Sequence, residues 1–154
     1  MLESTGTSAM TTFRTSRLFP VEPAALFDAI QNGERLARWW GPQGFSNRFS
    51  VFEFHPGGRW VFDMVGPDGT VYPNESVFSN IEADRQVVVK HVCAPHFELT
   101  IHLQPHPKGT LVEWQQVFAD PAVAQAVRHI VEPANEQNLD RLAAELAGDQ
   151  SVRC

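Results

Sequence analysis

The stretch DPAVAQAVRHIVEPANEQNLDRLAAELA, Asp120 to Ala147, decides the fold. Asp120 is placed to cap the free amides of a first helical turn, and Pro121 behind it gives up no hydrogen bond there. Leu139, Leu142, Ala143 and Leu146 recur at spacings of three and four, with Asp140, Arg141 and Glu145 turned away, so one apolar stripe runs along a helix. Val123, Val127, Ile130, Val131 and Ala134 make a second stripe, rotated against the first. Pro133 stands between them and is expected to kink or divide the helix. A helix with an apolar stripe needs a cover, and most of the preceding chain has the two-residue period of strands.

Working outward, Phe13–Phe19 alternates as a first strand that Pro20 and Pro23 end. Pro23 then opens a short helix through Leu26, Phe27 and Ile30, Asn32-Gly33 stops it, and Glu34–Trp40 forms a second. After the break Gly41-Pro42-Gln43-Gly44, strands are expected over Phe45–Phe54, Arg59–Val65, Thr70–Ile81, Gln86–Cys93, His96–Gln104 and Thr110–Phe118. Gly66-Pro67-Asp68-Gly69 is a hairpin signal, and Pro105–Gly109 reads as a turn. The short connections imply an antiparallel meander with one face free for solvent. Trp60, Phe62, Met64, Phe97 and Trp114 point to the other face. Periodicity leaves two outcomes open: a solid interdigitated core, or a sheet that curves away from the helix and leaves a cavity.

At 154 residues the chain has room for one domain with a sizeable core. The net charge of −6 argues against a nucleic-acid partner, whose phosphates call for a basic patch. No apolar run reaches the roughly twenty residues of a membrane span. Residues 1–11 read as a flexible tail without a signal core, 12–148 as the domain and 149–154 as a second tail. Two cysteines, Cys93 and Cys154, make no disulfide framework, and the expected location is cytoplasmic.

Leu36-Ala37-Arg38-Trp39-Trp40-Gly41-Pro42-Gln43-Gly44-Phe45 combines with Pro56-Gly57-Gly58-Arg59-Trp60, Gly66-Pro67-Asp68-Gly69-Thr70, Pro73-Asn74-Glu75-Ser76-Val77-Phe78 and Asn138-Leu139-Asp140-Arg141-Leu142. In motif and order this resembles the START-like, or SRPBCC, superfamily, and within it the AHSA-type domain related to the activator of the 90-kDa heat-shock protein ATPase. The resemblance runs from about Thr12 to Ala147. It implies an α+β helix-grip fold, a curved antiparallel sheet of six or seven strands around the C-terminal helix, often with a cavity between. It does not imply one function, since a shared fold carries many. Where the family commonly places Gly-Trp, this chain has Ala134-Asn135, which leaves the pocket larger or more polar.

The expected ligand-lining set is Trp39, Trp40, Trp60, Phe62, Met64, Tyr72, Glu75, Phe97, Trp114, Asn135 and Asn138. The expected role is binding of a small, mostly apolar or aromatic molecule, with a place in stress response or metabolism. The alternatives are a cyclase- or hydrolase-like enzyme using a pocket Glu or His, and a co-chaperone that activates a chaperone ATPase. A homodimer through an edge strand or through exposed aromatics is a further expectation. No catalytic residue, cofactor or metal is assigned. Gly57-Gly58 and Gly41–Gly44 lack the strand, helix and lysine of a phosphate loop. His96 and His102 share a strand face but stand roughly 20 Å apart at about 3.3 Å per residue. His91 and Cys93 are close enough for two metal ligands, with no third in the pattern. Glu75, Glu98 and Glu113 lie in strands, where a carboxylate turned inward would have a raised pKa.

Overall fold

The computed structural model describes residues 11–153, and the side chains of 11–148. The expected tails at 1–11 and 149–154 fall on ends of which residues 1–10 and 154 lie outside the described residues. In chain order come β1 (Thr12–Phe19), α1 (Pro23–Gln31), α2 (Gly33–Trp39), β2 (Ser46–Phe52), β3 (Arg59–Val65), β4 (Val71–Glu82), β5 (Gln86–His91), β6 (Phe97–His106), β7 (Gly109–Phe118) and α3 (Pro121–Arg153). The strands form one sheet in the order β1-β7-β6-β5-β4-β3-β2, antiparallel throughout. The helix-grip expectation holds.

Local chemistry sets the boundaries. Asn32 ends α1 and caps α2 at once: its amide donates to the Asp28 carbonyl, and its Oδ1 accepts from Glu34 N at 3.1 Å and Arg35 N at 3.3 Å. Asp120 Oδ1 accepts from Ala122 N at 2.9 Å at the start of α3. The expected turn at Pro105 is shorter than it looked, because Pro105 and His106 continue β6 against Thr110 and Gly109. Pairing with β5 stops at His102, so the missing Pro105 amide costs no bond on that side. Pro133 does not divide the helix: α3 runs unbroken from Pro121 to Arg153. The ring is exposed, clear of the packed face.

The concave face carries the core in two parts. The larger cluster joins Trp39, Trp60, Trp114, Phe78, Ile101 and Leu103 to Leu139, Leu142 and Leu146 of α3. A smaller one holds Phe13, Phe118 and Ala124, with Val123, Val127 and Val131 against it. Each fully buried leucine of the first contributes about 1.5–3 kcal/mol. The two helix stripes therefore serve different clusters, which is why they are rotated. Ile130, expected in the second stripe, is 58% exposed and faces solvent.

Curvature is visible in one side chain. The Trp40 ring lies 4.9 Å from that of Trp60 on β3 and 5.8 Å from that of Trp114 on β7. Three strands separate β3 from β7 in the sheet. At about 4.8 Å per strand a flat sheet would hold them roughly 19 Å apart. The sheet curls around Trp40.

Candidate functional site

Between the two apolar clusters lies a polar belt. Strand pairing aligns Trp60, Ser76, His91, Phe97 and Phe118 as a row across β3 to β7 on the concave face. Directly paired side chains in such a row stand about 4.5–5.5 Å apart at Cβ. Gln116 lies one inward position along β7 from Phe118. Ser76, His91 and Gln116 are all buried. Asn135 closes the belt from α3, its Nδ2 donating to Gln116 Oε1 at 3.2 Å.

His91 is the most constrained member. Its Nδ1 contacts the Pro95 carbonyl at 2.7 Å, its Nε2 contacts Asn74 Oδ1 at 2.8 Å, and its ring stacks on Phe97 with centroids 4.6 Å apart. Burial pushes its pKa below the ordinary histidine value, while the Pro95 carbonyl works against that shift. Two clefts border the belt. One of about 280 Å³, at the end of the sheet, is lined by Lys90, Glu98 and Val117 of the convex face together with His91, His96, Phe97 and Phe118. Another of about 310 Å³ opens between β1 and α3, with Phe13, Thr15, Pro133, Asn135 and Glu136 around it.

The expected lining residues separate into three groups. Trp40, Trp60, Phe62, Met64, Phe97, Trp114 and Asn135 face the concavity, and Trp40, Met64, Phe97 and Asn135 are only partly covered there. Tyr72 shares their face but is 47% exposed at the strand end, its ring against Phe45, so it forms a rim. Trp39, Glu75 and Asn138 are placed elsewhere. Trp39 is fully buried, and its Nε1 donates to the Ala29 carbonyl at 2.9 Å. Glu75 alternates with Asn74 and Ser76, lies on the convex face and pairs with Arg59 at 3.3 Å. Asn138 spends both ends of its amide on the chain, accepting from Gly41 N at 3.2 Å and donating to the Trp39 carbonyl at 3.0 Å.

Glu98 and Glu113 also lie on the convex face, exposed, so no strand glutamate enters the concavity. Cys93 Sγ sits 3.5 Å from His91 Nε2. Among the described residues no three His, Cys, Asp or Glu side chains stand together as a metal-ligand set. No helix of the described residues is long and apolar enough to cross a membrane. Sequence reading missed Ser76, His91 and Gln116 as belt members. Ser76 shares the alternation of Phe78 on β4, and Gln116 that of Trp114 on β7: a polar residue at an inward position was the signal.

The family model described as "Activator of Hsp90 ATPase homolog 1-like protein" matches residues 20–147. Among solved structures, the chain is similar to a protein of Nitrosomonas europaea at 18% identity and TM-score 0.85, covering 93% of this chain and 98% of that one. A protein of Arthrobacter aurescens matches at 21% identity and TM-score 0.83, covering 91% and 88%. An AHSA1 protein of Silicibacter pomeroyi matches at 24% identity and TM-score 0.73, covering 90% and 99%. At these identities the likeness is one of fold. Comparison with curated proteins gives no match.

Proposed function

Because the chain belongs to the family of Activator of Hsp90 ATPase homolog 1-like proteins, we propose that it binds a small, mostly apolar or aromatic molecule between its sheet and C-terminal helix. The observation that carries this reading is the belt itself. Ser76, His91 and Gln116 are buried on a concave face whose other members are almost all aromatic or aliphatic. Apolar walls with a few convergent polar groups are the make-up of a small-molecule site. Buried polar groups cost stability unless they are bonded, so a core built for stability alone has little use for them. The enzyme alternative called for an inward Glu or His; the strand glutamates face outward, and both nitrogens of His91 already have partners.

A neutral fluorescent probe, N-phenyl-1-naphthylamine, tests the reading. Saturable binding with quenching of the protein's tryptophans is expected. Val131→Trp, which adds bulk where α3 packs against Phe13 and Phe118, should weaken binding about tenfold or more. A folded wild-type protein with no saturable probe binding would retire the reading.

A further inference from the structure

The belt has a surplus of hydrogen-bond donors. Trp60 Nε1 and Trp114 Nε1 are buried without a partner. Ser76 is 2% exposed, and its hydroxyl makes no hydrogen bond to the described residues. Gln116 Oε1 is engaged by Asn135, which leaves the Gln116 Nε2 protons as donors. Against these four donors the belt sets two acceptors, Asn135 Oδ1 and the Ser76 hydroxyl oxygen. A further unpartnered acceptor, Asn47 Oδ1, is on edge strand β2, three strands from His91.

His91 adds a demand for charge. The Pro95 carbonyl can only accept. Asn74 is oriented by its own Nδ2, which donates to the Tyr72 carbonyl at 2.8 Å, so Oδ1 is the atom turned toward His91. Both ring nitrogens therefore face acceptors, an arrangement that only the doubly protonated ring satisfies. Among the described residues no carboxylate stands by to support that cation. Glu75 and Glu98 lie on the convex face with Lys90, α3 brings Val127 and Val131 to this end of the core, and the nearest ionisable neighbours are Cys93 and His96. His96 opposes protonation, as burial does.

We infer that the belt takes the head group of an apolar carboxylic acid, its carboxylate beside Ser76 and His91 and its hydrocarbon or aryl part against the partly covered Phe97. The inference rests on the apolar-ligand reading above and names the class of molecule. An ionised carboxylate only accepts hydrogen bonds and has about four lone-pair sites. It therefore matches the donor surplus and supplies the missing counter-charge. A neutral alcohol or amide brings donors of its own to a place where donors already outnumber acceptors. His91 contributes its charge rather than a new hydrogen bond, because its two nitrogens are already engaged.

The test uses the full chain with octanoic, dodecanoic and phenylbutanoic acids, each beside its primary amide, followed by calorimetry at neutral pH. At least one acid is expected to bind about tenfold or more tightly than its amide. Ser76→Ala and His91→Gln should each shrink that preference by about tenfold. Should His91→Gln fail to fold, Ser76→Ala alone carries the comparison. Equal affinity for acid and amide overturns the carboxylate assignment and leaves the apolar-ligand reading standing. An acid preference that survives both substitutions overturns the placement at Ser76 and His91. Binding by none of the six compounds, together with none by the neutral probe, removes both.

Discussion

Asn138 reaches across from α3 to hold two backbone groups of the segment that joins α2 to β2, and Arg141 one turn later holds four more. The Arg141 guanidinium donates to the carbonyls of Arg38 at 2.7 Å, Trp40 at 2.8 Å, and Gly41 and Pro42 at 3.1 Å each. These include the carbonyls left open at the C-terminal end of α2, where a cation is also favoured by the helix dipole. Gly41 fits because its φ is +93° and because a Cβ there would stand 2.6 Å from Met64 Cε. The motif pieces Trp39-Trp40-Gly41-Pro42 and Asn138-Leu139-Asp140-Arg141 thus belong to one clamp. Asn138→Ala leaves the Gly41 amide and the Trp39 carbonyl unpaired, and a loss of about 1–3 kcal/mol is expected in urea unfolding. A loss below about 0.5 kcal/mol would mean that the two groups find other partners. The sequence marked Asn138 by type and by helix face. It could not show that the face opposite was backbone rather than ligand, because hydrogen-bond partners nearly a hundred residues away leave no local trace.

At the scale of the element, α3 is two helices in function and one in backbone. Its second half is fixed by leucines and by charge: Glu145 accepts from Arg35 Nε at 2.9 Å and from Arg38 Nε and Nη2, each at 2.9 Å. The Arg38 and Arg35 hydrogen bonds hold the Glu145 pKa below the ordinary glutamate value against the opposing effect of burial. A carboxylate with a depressed folded-state pKa stabilises the fold above its unfolded pKa, and that contribution is lost as pH falls through the folded value. Glu145→Gln should therefore be less stable than wild type at neutral pH. The gap should close as the solution is acidified below the ordinary glutamate range. Parallel stability curves across that range would show that Glu145 acts through shape alone. Both stripes of α3 were legible from spacing apart from Ile130, and the alternation of β6 from Phe97 to Leu103 put its inner face in plain view. Continuity through Pro133 was not legible, since it depends on what both halves pack against. The same holds for Pro105, which sits in a strand only because β5 has already ended beside it.

The whole molecule is a core in two storeys with a polar floor between them. Joining the storeys should help the fold and harm the site. In the double variant Gln116→Leu/Asn135→Leu both partners of a largely buried hydrogen bond are replaced by apolar groups, which is close to neutral or stabilising. Unchanged or raised thermal stability with loss of probe and acid binding is expected, the usual opposition between stability and function. A collapse of stability instead would make the pair a structural necessity. The sheet order has a consequence for how the chain is made. β1 leaves the ribosome first, but its partner β7 ends at Phe118, and the Arg17 ion pairs wait for Glu136 and Asp140. The N-terminal strand must therefore stay unpaired, with Phe13 and Phe19 uncovered, until nearly all of the domain has been synthesised. Closure of this fold is a late step in the synthesis of the domain, and a ribosome stalled before Phe118 would hold a chain whose first strand has nothing to join.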